Sequence, residues 1–200
     1  MMHMNMKKIA VALLSVACVA STTAFAAAGE VMTIKSSNSD SVEVVQVLKT
    51  KDKNYYQYYN SQYGYTIDIP RTATQADTSV NGDGCYFQDP KDRAVITTYA
   101  AKNGMGFSVD ELYNMDVGLN GSPKLTTDIK TKNSYIIAWT DGKVSYYHEL
   151  YVNAKDKSYT AFSVTYPTDK KAKYAEIIAH MDRSFIPNGV KMEGRLMNDY

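Results

Sequence analysis

The stretch "KVSYYHELYVNAKDKSYTAFSVTYP", Lys143 to Pro167, decides the fold. Val144, Tyr146, His148, Leu150 and Val152 alternate with Ser145, Tyr147, Glu149, Tyr151 and Asn153. That period of two belongs to a pleated strand, whose successive side chains leave on opposite faces. "NAKDKS" turns the chain into a second strand, "YTAFSVTYP", with Phe162, Val164 and Tyr166 on a common face. Upstream, "SYIIAW" at Ser134 to Trp139 is β-rich, and Asp141-Gly142 after it is a two-residue hairpin signal with Thr140 closing the strand. These three strands form an antiparallel meander, because hairpins this short join only antiparallel neighbours.

Working outward, "AVITTYA" at Ala94 to Ala100 is a further strand, and Tyr63, Tyr65, Ile67 and Ile69 alternate with Gly64, Thr66 and Asp68 until Pro70 stops the ladder. One face of that strand is expected to be buried. Two segments carry the helical period instead. "SVDEL" opens a helix at Ser108, whose hydroxyl caps the backbone while Glu111 reaches back, and Val109, Leu112, Met115 and Leu119 give it an apolar stripe. After Pro167 and Thr168, the residues Tyr174, Ile177, Ile178, Met181 and Phe185 fall on one helical face. Strands outnumber helices and are joined mainly by hairpins. The class is therefore α+β, an antiparallel β-sheet with helices packed on it.

The chain begins with a leader. "MKK" at Met6 to Lys8 is a basic region, and "IAVALLSVACVA" at Ile9 to Ala20 is an apolar run too short for a stable membrane anchor. Ala24 and Ala26 form an A-x-A site, so a signal peptide of residues 1–26 is expected, with cleavage before Ala27 and an extracytoplasmic destination, periplasmic or secreted. A lipid anchor through Cys18 is the competing arrangement, but a lipobox prefers leucine where Ser15 stands. Losing Lys7 and Lys8 with the leader takes the net charge from +1 to −1. So balanced a chain, with no basic run, lacks the electrostatic footprint of a nucleic-acid binder. No segment after the leader is apolar enough to cross a membrane. Cys85 is left as the sole mature cysteine, which excludes an internal disulfide and leaves stability to apolar burial.

Residues 27–53 hold two short β-prone pieces, "EVMTIK" and "VEVVQVLKT", around the polar tract Ser36 to Ser41, and are expected to form a leading hairpin or a loosely attached arm. Residues 54–187 are the domain proper, and 188–200, interrupted by Gly189 and Gly194, a flexible tail.

Few residues offer chemistry. Cys85 as nucleophile, His148 as base and Asp141 or Glu149 as orienter would make a thiol hydrolase. However, "GDGCYF" lacks a cysteine-protease signature, and a histidine beside Tyr146 and Leu150 is more simply a packed strand residue. Asp83, Asp89 and Asp92 offer oxygen ligands, but Gly82, Gly84 and Pro90 mark a turn and the spacing is not that of an EF-hand. With two mature histidines, His148 and His180, and no paired-ligand motif, zinc is not indicated. No catalytic residue, metal site or cofactor is assigned.

The tyrosines remain. Six of them occupy the eleven positions from Tyr55 to Tyr65. A phenol suits interfaces, sugar faces and half-exposed sheets alike. Tyr55 with Tyr59, and Tyr56 with Tyr58, take opposite faces of an extended strand, so at least one pair is expected near solvent unless helices cover both. Tyr147 and Tyr151, on the Glu149 face, repeat the pattern. These six, Tyr55, Tyr56, Tyr58, Tyr59, Tyr147 and Tyr151, are the candidate aromatic binding patch; the plainer alternative is that tyrosine replaces phenylalanine in a sheet. Trp139 is read as a core or rim packer.

The order of landmarks, "YGYTIDIP", a β segment of small and branched residues, the "SVDEL" helix, a meander ending "VTYP" and a last helix closing "MDRSFIP", resembles the PsbP-like family, including bacterial DcrB-type envelope proteins. The resemblance covers about Tyr58 to Pro187 and is best at Gly64 to Pro70, Tyr166-Pro167 and Ser184-Phe185. It implies an α/β/α sandwich and an extracytoplasmic accessory protein, largely non-catalytic, that acts through protein contacts. It carries no shared catalytic motif. The expected partner is then another protein of the cell envelope, with a cell-wall glycan held by exposed tyrosines as the alternative.

Overall fold

The computed structural model describes residues 31–35 and 44–187. The leader expected at residues 1–26, Cys18 and the tail expected at 188–200 lie outside the described residues. The meander is formed by β9 (Ser134–Thr140), β10 (Val144–Asn153) and β11 (Ser158–Pro167), with Tyr147 opposite Ala138 on one side and Val164 on the other. The turn into β10 is longer than the two-residue loop expected. Asp141, Gly142 and Lys143 all lie between the strands, because the Asp141 carboxylate accepts from the backbone N–H of Lys143 and of Val144 at 2.9 and 2.8 Å. Gly142 supplies the φ of +94° that this turn needs.

The remaining strands are β1 (Val31–Lys35), β2 (Val44–Lys49), β3 (Tyr55–Asn60), β4 (Tyr65–Pro70), β5 (Gln75–Thr78), β6 (Gly84–Asp89), β7 (Ala94–Lys102) and β8 (Thr127–Lys130). Their order across the sheet is β4-β3-β2-β1-β5-β6-β7-β11-β10-β9-β8. Neighbours are antiparallel except β1 and β5, which meet in parallel at Lys35 and Gln75. The pieces at the start of the chain are therefore a hairpin wedged inside the sheet. β2 pairs β3, while Ile34, Val45 and Val47 are buried in the main core.

Among the described residues two α-helices cover opposite faces. α1 (Val109–Leu119) starts at Ser108 with both halves of the capping box made: Glu111 N donates to Ser108 Oγ at 3.2 Å, and Ser108 N donates to Glu111 Oε2 at 2.8 Å. Its stripe departs from expectation. Val109 and Leu112 are buried, but Met115 and Leu119 face solvent, and the inward line continues through Asp116 and Val117. α2 (Lys171–Ser184) buries Tyr174, Ile177, Ile178 and Met181, with Phe185 just beyond its end. Each such burial contributes about 2 kcal/mol. They pack on Phe162, Val164 and Tyr166 of β11 and on Tyr65, Ile67 and Ile69 of β4.

β4 is buried at all six residues, not on one face alone. It is an outer strand whose edge is covered from its own chain. Thr66 and Ile186 exchange two backbone hydrogen bonds at 3.0 and 2.9 Å, and Asp68 N donates to Ser184 Oγ at 3.0 Å. The segment after α2 so satisfies polar groups that an uncovered edge would leave open.

Candidate functional site

Register assigns the side chains of β6, β7, β11, β10 and β9 to faces. Cys85, Thr98, Phe162, Glu149 and Ile136 lie opposite one another in one row, on the α2 side. The adjacent row, Tyr86, Thr97, Ser163, His148 and Ile137, points to the α1 side. α1 covers only part of that side: Tyr135, Ile137, Leu150 and Ala161 are closed beneath it. Beyond it the face is open. Tyr86 is 48% exposed, and Val95, Thr97, Ser163, Thr165, Trp139 and Tyr146 are half-buried. Trp139 and Tyr146 stand in register and stack, their ring centres 4.9 Å apart and their planes within 8°. Tyr146 on β10 and Tyr86 on β6 thus flank a floor of threonine and serine hydroxyls on β11 and β7. At about 4.8 Å per strand, the three steps from β10 to β6 make it about 14 Å across.

His148 marks where α1 meets this open floor. Its Nδ1 lies 2.8 Å from Asp116 Oδ2, and the Tyr135 hydroxyl donates to the same carboxylate oxygen. The Tyr99 hydroxyl stands 3.4 Å from Nε2. Burial works against the Asp116 charge, yet the bonds from His148 and Tyr135 outweigh it and hold the carboxyl below its usual range. The carboxylate on Nδ1 orients the imidazole, and among the described residues the group at Nε2 is the Tyr99 phenol, which burial keeps protonated, rather than a serine or cysteine. The cluster ties the helix to the sheet. Sequence reasoning treated His148 as an isolated strand residue and missed Asp116. Its signal was positional, since Asp116 follows Val109 by seven residues and Leu112 by four and so falls on the buried face.

The other candidate residues are scattered. Cys85 is buried on the α2 side and His148 points to the α1 side, with β7 and β11 between their strands, so the two do not converge. Burial and the nearby charge of Asp77 push the Cys85 thiol up, away from a reactive thiolate. Glu149 shares the face of Cys85, not that of His148, and Asp141 is spent on its turn. Asp89 and Asp92 do meet, but around Lys173 of α2, whose ammonium lies 3.2 and 2.5 Å from them, while Tyr174 donates to both. That ammonium occupies the place a cation would take. Asp83 lies apart, bound to Ser79 at 2.5 Å. Among the described residues no three metal-ligating side chains come together.

The structure places the six candidate tyrosines in different settings. Tyr58 is buried, edge-on to Tyr65 and Phe87 at 5.9 and 5.3 Å, and burial lifts its phenol to about 12. Tyr55 is buried too, stacked on His180 at 3.6 Å, and His180 in turn binds Asp68 at 2.8 Å. α2 supplies that cover, which is why the strand is drier than its composition implies. Tyr56 is half-buried under the Arg71 guanidinium at 4.4 Å, and Tyr59 is half-buried. Tyr147 and Tyr151 are half-buried on β10, at the far end of the strand order, with the Tyr147 hydroxyl donating to Glu149 at 2.9 Å. β3 and β10 are separated by six strands in the sheet order. The aromatics that share the open face are Trp139, Tyr146 and Tyr86. Nothing in the one-dimensional pattern distinguished them, because which face α1 leaves bare is a tertiary property.

No protein-family model matches the chain, and no curated protein does. Solved structures do. The solution structure of the cyanobacterial PsbP, CyanoP, from Synechocystis superimposes with a TM-score of 0.51 at 12% identity, covering 67% of this chain and 92% of CyanoP. The Ran-binding protein Mog1p of Saccharomyces cerevisiae gives a TM-score of 0.48 at 11% identity, over 67% of this chain and 95% of Mog1p. At such identities the likeness is one of fold. The chain has the PsbP-like α+β fold, an antiparallel sheet with helices on its two faces. Among the described residues no helix is long and apolar enough to cross a membrane.

Proposed function

We propose that this chain is an exported, non-catalytic binding protein that engages another protein of the cell envelope through the open half of its sheet beside α1. The observation that carries the proposal is the set of part-exposed rings and hydroxyls at Trp139, Tyr146, Tyr86, Thr97, Ser163 and Thr165 on one rigid surface. Aromatic groups held by a sheet bind at little entropic cost, and they are enriched at protein interfaces. The basic and apolar pattern of residues 1–26, read as a leader, supports export. The placement of Cys85 and His148 on opposite faces of the sheet, with two strands between theirs, supports a role without bond-making.

Placing a photo-crosslinking amino acid at Thr165, and separately at the exposed Lys171 on α2, tests this in native envelope. One dominant protein adduct is expected from Thr165, none from Lys171, and loss of the adduct in Trp139→Ala. Equal adducts from both positions, or none, would overturn it. A second function follows from the uncharged, hydroxyl-lined floor between Tyr146 and Tyr86, which suits the hydroxyls and apolar face of a neutral glycan. In that case the chain sediments with purified cell wall, and Tyr86→Ala and Tyr146→Ala release it.

A further inference from the structure

Among the described residues the sheet ends at β8. This edge is open to solvent. Asp128, Ile129 and Lys130 are exposed, Ile129 at 50%. Just past β8, Thr131 N donates to Ser134 O at 2.8 Å. Backbone groups along an antiparallel strand alternate between its two neighbours. Thr127 and Ile129 therefore turn theirs toward β9, and the N–H and C=O of Asp128 and Lys130 point outward.

We propose that β8 pairs with the β8 of a second copy of this chain, antiparallel about a twofold axis through Ile129, so that two sheets become one. Register selects this axis. Centred on Ile129, each Asp128 stands opposite the partner's Lys130 in the kind of pair that exchanges two backbone hydrogen bonds, and opposite charges directly across a ladder are favourable. An axis through Asp128 or through Lys130 sets like charges against each other. An axis between residues violates the outward alternation. The tripeptide Asp128-Ile129-Lys130 is thus complementary to itself in the one register its backbone permits.

Both faces gain from the pairing. Ile136 lies opposite Ile129 on the side away from α1, so the dimer extends one row as Ile136, Ile129, Ile129 and Ile136 and covers the exposed Ile129. On the α1 side Lys130 already donates to Asp110 at 2.7 Å over the Tyr113 ring, and Tyr113 donates to Asp128 at 3.1 Å. An ammonium has three donors, so Lys130 retains protons for the partner's Asp128. Short edge strands with charged residues commonly discourage pairing. Here the charges are placed to select one partner, another copy.

Sedimentation and amide hydrogen exchange test this on the full chain, at concentrations up to about 1 mM because short interfaces associate weakly. A concentration-dependent dimer is expected, in which the Asp128 and Lys130 amides gain protection as it forms. Asp128→Lys and Lys130→Asp should each weaken self-association about tenfold by facing like charges. Mixing the two variants should restore it, since every introduced charge then meets its opposite. Circular dichroism confirms that each variant is folded, and the exchange measurement on the unsubstituted chain stands without them. A monomer throughout, with exchange at Asp128 and Lys130 independent of concentration, overturns the dimer. Association that ignores the substitutions, or a mixture that fails to recover it, overturns the register.

Discussion

Asp116 shows how one side chain changes meaning once its neighbours are known. On α1 it occupies a position where an apolar residue would be ordinary, and it is stabilised there by His148 and Tyr135. Replacing the carboxylate by a neutral amide leaves a buried imidazole and a phenol sharing one uncharged, weaker acceptor, so Asp116→Asn should cost about 2 kcal/mol in urea unfolding at neutral pH. The pH dependence follows from the lowered carboxyl. A group whose native pKa lies below its unfolded value, about 3.9 for aspartate, stabilises fully above that value and ceases to do so as pH falls through the native pKa. The gap between the unsubstituted chain and Asp116→Asn should therefore close on acidification below about pH 4. A gap that widens there would mean that Asp116 is not the stabilising charge. His148, Tyr135 and Tyr99 are the titratable groups facing it.

At the scale of elements, α1 is the less firmly seated helix. Its C-terminal half exposes Met115 and Leu119, and it carries Gly118 next to its last residue. A Cβ at Gly118 would meet nothing within 4 Å. Gly118→Ala should therefore stabilise the chain by about 0.5 to 1 kcal/mol through the entropy that glycine loses in a helix. Ser108→Ala should do the opposite, by about 1 kcal/mol, because both halves of the capping box disappear. Paired thermal melts of the two variants check both signs. The capping box at Ser108 was legible because it is local, lying within four residues. The stripe departs from expectation beyond Leu112 because a pattern of apolar residues does not know that the facing strand offers an imidazole.

At the scale of the whole molecule, the N-terminal hairpin holds the two halves of the sheet together. β2 pairs β3 on one side and β1 meets β5 on the other, with Val45 and Val47 in the core beside Ile34. Deleting residues 27–53 should then abolish the cooperative melt. A loosely attached arm would leave it nearly unchanged, so circular dichroism of the truncated chain separates the two. α2 makes the other long-range tie. Lys173 binds Asp89 and Asp92 at one end, and Ser184 and Ile186 close the edge of β4 at the other. Those contacts span more than 80 residues of sequence.

The amino-acid order alone determined the α+β class, the three-strand meander from Ser134 to Pro167, the cap of α1 and the buried face of α2. Each is written in a period of two or of 3.6, or in a cap motif, within a dozen or so residues, and such patterns act over short distances along the chain. Only the tertiary structure decided the strand order, the double burial of β4, the separation of Cys85 from His148 and the retreat of Tyr55 and Tyr58 from solvent. Those outcomes depend on which strand lies beside which and on which half of a face a helix covers. Exposure is a property of neighbours distant in sequence, and period alone does not specify them.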